Sequence, residues 1–280
     1  MITLPIDRRS TATFTQRPSD RALIVHPARK TKALRLARRV LHHLGAPELG
    51  TLTIETSLPE GKGLASSSAD LVATARAISA ALNRPLPLEV LCGFLRELEP
   101  TDGVMVPEFV AFLHRKVQLL QRLGLPPRPL RVLAVDEGGE IDTIAYNLRC
   151  PDYTAAERAV YQGLLADAVD AFGAGDLDAI GRIATRSATL NQRRNPRRHL
   201  ATMLRLREDV GALGVAVTHS GPCVGLLFDS APRHDRAFER AWEVMAGLGL
   251  KVDVYATLDP RPAPGLRRPV RYAEVRADLR

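Results

Sequence analysis

Residues 59–69 read Pro59-Glu60-Gly61-Lys62-Gly63-Leu64-Ala65-Ser66-Ser67-Ser68-Ala69. The run before them, 51–56, alternates apolar and polar residues as a half-buried strand does, and the Ala-rich run across about 67–82 reads as a helix. A strand therefore feeds a helix through a loop with glycines at alternate positions. Glycine lets backbone N–H groups approach an anion with no Cβ in the way. Serines at a helix start cap free N–H groups, and the helix dipole adds partial positive charge there. The combination is an anion site at a helix N-terminus. Lys62 can add a point charge, and a serine hydroxyl can reach Mg²⁺. The spacing is neither Gly-x-x-x-x-Gly-Lys-Ser/Thr nor Gly-x-Gly-x-x-Gly, which disfavours those two nucleotide classes. On the residues alone, an ordinary Gly-rich connection with a serine cap fits equally well.

Working outward, residues 1–5, 10–16 and 22–26 read as strands, and 31–44 as a helix that Gly45 stops. Helices follow at 88–97 and 108–123, with a tight segment at Glu99-Pro100-Thr101-Asp102-Gly103 between them. A hairpin is expected over 131–135 and 141–146, turning at Gly138-Gly139. Beyond residue 150 the pattern becomes helical at 154–172, 176–192 and 196–211. It then gives strands at 214–219 and 223–229, a helix at 233–247 and a strand at 250–256. The expected division is 1–150 and 151–280.

Composition narrows the classes. With 280 residues, 45% of them hydrophobic, the chain can bury a large core. Cys92, Cys150 and Cys223 are far apart in sequence, which argues against a disulfide framework or a structural zinc site. No basic and apolar leader is evident at the start, and no apolar run approaches the ~20 residues of a membrane span. The expectation is a cytoplasmic protein with no membrane partner. The net charge of +8 comes largely from arginine clusters at 35–39, 193–198 and 267–271. Such clusters suit anionic partners or coat helices with solvated charge. No aromatic residues interleave with them as a base-stacking surface requires, which counts against nucleic acid.

The string from Pro59 to Ala69 resembles the phosphate-binding motif of the GHMP kinases, the superfamily of galactokinase, homoserine kinase, mevalonate kinase and phosphomevalonate kinase. Extended to Asp70, it is more specifically similar to the L-threonine kinases of cobalamin synthesis and propanediol utilisation. Glu99-Pro100-Thr101-Asp102, Ser187-Ala188-x-x-Asn191-Gln192 and Ala216-x-x-His219-Ser220-Gly221-Pro222-x-x-Gly225-Leu226-Leu227 resemble further segments of that subgroup, in order along the chain. The resemblance implies an α+β, two-domain fold: an N-terminal domain like ribosomal protein S5 domain 2 and a ferredoxin-like C-terminal domain. It implies an ATP- and Mg²⁺-dependent kinase that phosphorylates a hydroxyl of a small molecule, with the side chain of L-threonine as the expected acceptor.

Carried onto this chain, the resemblance gives nucleotide contacts at Pro59, Gly61, Lys62, Gly63, Leu64, Ala65, Ser66, Ser67 and Ser68. Ser67 and Glu99 would be the Mg²⁺ ligands, and Asp102 the catalytic carboxylate. His219, Ser220, Gly221 and Asn191 would face the acceptor. Each has a plainer alternative: a turn aspartate, an exposed helix-end glutamate, a buried histidine, a solvated mid-helix asparagine. The relatives begin with a Cys-Gly-Glu-Leu-type segment, whereas this chain opens at Ile2-Thr3-Leu4-Pro5-Ile6-Asp7, which resembles the strand after it. Either an upstream start or the loss of part of the site is expected. Gly103-Val104-Met105 is less polar than in relatives and would alter the acceptor pocket. Another hydroxylated metabolite, a catalytically degraded nucleotide-binding protein, and nucleic-acid binding through the arginine clusters remain as alternatives. The oligomeric state is not legible.

Overall fold

A computed structural model describes residues 1–139, 153–249 and 251–259. In the first half, β1 (Ile2–Thr3), β2 (Ser10–Thr15), β3 (Leu23–His26) and β4 (Gly50–Thr56) fall close to the expected runs. β4 pairs antiparallel with β2 and parallel with β3. Along β4, Leu52 and Ile54 are buried while Thr53 and Glu55 are exposed, the alternation that identified it. Helices α1 (Thr31–His43) and α2 (Ser66–Ala81) pack against this sheet and each other, and α3 (Leu88–Arg96) packs on both helices. Leu36, Val40 and Leu41 of α1 meet Leu71, Ala75 and Ile78 of α2 in one fully enclosed core.

The helix expected over 108–123 is instead a hairpin, β5 (Phe109–Leu113) and β6 (Gln118–Gly124), with β1 added on the far side of β5. Phe109, Val110, Ala111 and Phe112 are all buried, so β5 packs on both faces and shows no period-2 signal.

The second half contains β7 (Leu130–Asp136), α4 (Ala155–Ala174), α5 (Leu177–Asn191), α6 (Leu200–Val210), β8 (Gly214–Val217), β9 (Cys223–Asp229), α7 (Asp235–Gly247) and β10 (Val252–Ala256). α4 opens on a complete capping box, Thr154 with Glu157. The sheet order is β10-β7-β9-β8, antiparallel throughout. Numbered within this unit the order is 4-1-3-2, that of a ferredoxin-like β-α-β-β-α-β arrangement. On one face Leu133, Val135, Leu226 and Phe228 meet α6 and α7. On the other, Leu130, Val132, Ala134 and Leu227 meet α4 and α5.

β9 and β10 pair with the two edges of β7, and the second strand of the expected hairpin, at 141–146, lies outside the described residues. By strand pairing β7 belongs to the sheet of the second half. Among the described residues no helix is long and apolar enough to cross a membrane.

Candidate active site

The loop between β4 and α2 is built on left-handed backbone. Gly61 and Gly63 have φ of 73° and 70°, and Ala65, at the helix cap position, has 58°. Glycine takes this conformation without the cost a Cβ imposes. The serines do not cap the helix: Ala65 occupies that position and supplies no side-chain bond to the first-turn amides. Those N–H groups are therefore available to a bound anion. Ser66 and Ser68 are buried beneath the loop. The Ser67 hydroxyl donates to Glu99 Oε1 at 2.6 Å, and the Lys32 ammonium takes Glu99 Oε2. Glu99 is buried rather than an exposed helix end. Ser67 and Glu99 thus offer two hard oxygen ligands side by side. That donor set fits Mg²⁺, which binds through one or two carboxylates and keeps positions for phosphates and water.

The loop is clamped from the second half of the chain. Gly63 lies against Gly221, where a Cβ would sit 2.5 Å from the Gly221 Cα. Lys62 spans the same junction, its ammonium 2.8 Å from Asp136 Oδ2 and 2.8 Å from the Gly139 carbonyl oxygen. That pairing directs Lys62 to β7 and the residues after it, and lowers the pKa of Asp136 against the opposing effect of burial.

Gly63, Leu64 and Ala65 form one end of a cleft of about 760 Å³ that also contains Asp102 and His219. The Asp102 loop is fixed by Gly103 N–H donating to Thr3 Oγ1 at 3.1 Å and Thr101 N–H to the His114 carbonyl at 3.1 Å. Burial raises the Asp102 pKa to about 6; the Glu99 carboxylate adds to the rise and the Met1 ammonium opposes it. A carboxylate poised there matches a general base working near neutral pH. His219 is driven the other way, to about 3, by burial and then by His114, whose ring centroid is 4.5 Å away. It is therefore a neutral imidazole at pH 7.

Ser220 is buried in the β8–β9 turn beside Gly221. Asn191 ends α5 buried and outside the cleft lining, its carbonyl accepting from the Arg194 and Asn195 amides. It closes the helix end. The residue that reaches the turn is Asn195, whose Nδ2 donates to the carbonyls of His219 (3.0 Å) and Ser220 (3.1 Å). Arg197, also buried, donates to the Thr218 carbonyl at 2.8 Å. The Asn195-Pro196 pair signals a turn, but nothing in the sequence says which backbone it bonds. The 193–198 arginine cluster is thus largely structural: Arg194 pairs with Glu157 and stacks on Tyr153, and Arg198 bonds Glu137. The 267–271 cluster lies outside the described residues.

A further network was not anticipated. Lys30 bridges Glu60 in the loop and Asp70 on α2, and Ser10 donates to the other oxygen of Asp70. It ties β2, α1, the loop and α2 together.

With this geometry, residues 31–110 match the GHMP kinases N terminal domain and residues 168–246 the GHMP kinases C terminal family. The chain belongs to the GHMP kinases. It is similar to the L-threonine kinase of Salmonella typhimurium, at 29% identity over 85% of this chain and 78% of that one. It is also similar to the L-threonine kinase of Citrobacter freundii, at 31% over 66% and 64%. Its fold is that of the homoserine kinase from Cytophaga hutchinsonii, with a TM-score of 0.71 at 20% identity, covering 92% of this chain and 89% of that one. GHMP kinases use ATP.

Proposed function

We propose that this GHMP kinase transfers the γ-phosphoryl group of ATP to the side-chain hydroxyl of L-threonine, giving O-phospho-L-threonine. The observation that carries the reading is that one cleft holds both the 63–65 end of the glycine loop and the Asp102 carboxylate. The backbone of residues 61–68 and the uncapped first turn of α2 hold the β- and γ-phosphates. Ser67 and Glu99 would hold Mg²⁺, which would supply neutralisation of the phosphate charge. Asp102 orients the acceptor hydroxyl and takes its proton as the hydroxyl oxygen bonds to phosphorus and the bond to ADP breaks. Neutral His219 lines the same cleft and supplies a hydrogen bond without a charge. Gly221, by contacting Gly63, keeps the loop in register, and positioning of this kind supplies most of the rate in phosphoryl transfer.

The two threonine-kinase relatives support L-threonine as acceptor, and a homoserine kinase of Moorella thermoacetica, 28% identical over 69% of this chain and 67% of that one, supports L-homoserine as the alternative. The test is ADP formation by purified protein with Mg²⁺-ATP and a panel of L-threonine, L-homoserine, L-serine and an isoprenoid alcohol. Threonine-dependent ADP formation is expected. Turnover confined to homoserine or the isoprenoid alcohol would move the chain to another GHMP activity.

A further inference from the structure

The cleft lining is unbalanced in charge. Arg8, Arg9 and Arg76 are among its lining residues together with Met1, which carries the amino terminus, and Asp102 is the one carboxylate-bearing residue of that lining. A cleft of this kind favours an acceptor carrying negative charge away from its hydroxyl. Arg8 is engaged elsewhere, over the Tyr255 ring at 5.6 Å and near the Val254 carbonyl. Arg76 is placed differently. It continues the face of α2 formed by Ala69, Val72 and Ala73, which runs from the glycine loop along the cleft. At about 1.5 Å of rise per residue it lies about 10 Å beyond Ala69. That leaves room for a small acceptor between a phosphate at the loop and a second anion at Arg76. Its Nη2 donates to the Met105 carbonyl at 2.7 Å. Met105 is three residues after Asp102, so the guanidinium is fixed to the segment that presents the carboxylate. One donor of the fork is used in this way, leaving the others for a ligand.

We propose that Arg76 binds the carboxylate of the acceptor while Asp102 addresses its hydroxyl, so that the enzyme selects hydroxylated carboxylic acids over neutral alcohols. This rests on the kinase reading above and names the residue that sets its acceptor class. Arg76 is a specificity determinant and takes no part in bond making.

The experiment compares L-threonine with L-threonine amide and L-threoninol, and L-homoserine with its amide, in wild type, Arg76→Gln and Arg9→Gln. Each variant is first checked by thermal melting for an unchanged fold. Wild type is expected to prefer the carboxylate form by about 10- to 100-fold in kcat/KM, as a charge-assisted pair gives. Arg76→Gln is expected to erase most of that preference through the acceptor KM, with the KM for ATP within about twofold. If Arg76→Gln keeps the wild-type preference, or if Arg9→Gln is the variant that loses it, the assignment is overturned while the kinase reading stands. A wild type that favours threoninol or another neutral alcohol also overturns it. Absence of turnover with every acceptor removes both readings.

Discussion

Gly221 sits so close to the phosphate loop that a Cβ on it would lie 2.1 Å from the Lys62 carbonyl oxygen. The relationship joins the two halves of the enzyme through backbone alone, and it explains why a glycine stands at a position with no unusual φ. Lys62–Asp136 reinforces the same contact.

Gly221→Ala is therefore expected to push the loops apart, costing about 1–3 kcal/mol of stability as overpacking does and raising the KM for ATP about tenfold. Gly211→Ala is the control: its φ is 68°, but a Cβ there meets nothing within 4 Å. It should cost about 1 kcal/mol for its left-handed backbone and leave the KM for ATP unchanged. Thermal melting and initial-rate kinetics separate the two effects.

The raised pKa of Asp102, about 6, fixes the sign of two pH effects. As the base it must be ionised, so kcat/KM should rise with pH and level off above that value. For stability, a carboxyl whose folded pKa exceeds its unfolded value binds its proton more tightly when folded. Its contribution is therefore lost as pH rises from about 4 through 6. Asp102→Asn should lower kcat by about 10²–10⁴-fold and abolish the rise, with stability above pH 6 equal to wild type or higher. A variant that retains the wild-type pH profile would exclude Asp102 as the base.

Glu99→Gln removes the charge from the Ser67–Glu99 pair and leaves Lys32 without its partner. Titration calorimetry should show Mg²⁺-ATP binding weakened by about tenfold or more, with metal-free ATP binding much less affected. Equal losses in both would place the metal elsewhere.

Lys30→Met leaves Asp70 buried and uncompensated. Urea denaturation should report a loss of about 3–5 kcal/mol. The double variant Lys30→Met/Asp70→Leu should recover part of it, because removing both charges avoids the unpaired one. No recovery would mean that the lysine stabilises the fold by packing.

The strand, loop and helix at 51–82 were legible because each obeys a local rule: period-2 alternation, glycine at positive φ, and an Ala-rich helix whose observed bounds are Ser66–Ala81. The β5–β6 hairpin was not legible. Its first strand is buried on every side, and its turn at 114–117 contains neither glycine nor proline; Val117 adopts a φ of 46° instead. Among site residues, the motif placed Asp102 and Gly63 in one cleft and Ser67 against Glu99. Local rules misread the serines as caps. Asn195, Arg197 and Lys30 matter through contacts with segments more than 20 residues away, which no local pattern encodes.

The most direct measurement is ³¹P NMR of the full chain with ATP, Mg²⁺ and L-threonine, repeated with Asp102→Asn. The account predicts that the γ-phosphate resonance declines as ADP and a phosphomonoester of threonine grow in together, and that the variant slows this by at least about 10²-fold. ATP that stays unchanged with every hydroxylated acceptor, or that yields only inorganic phosphate, would contradict it.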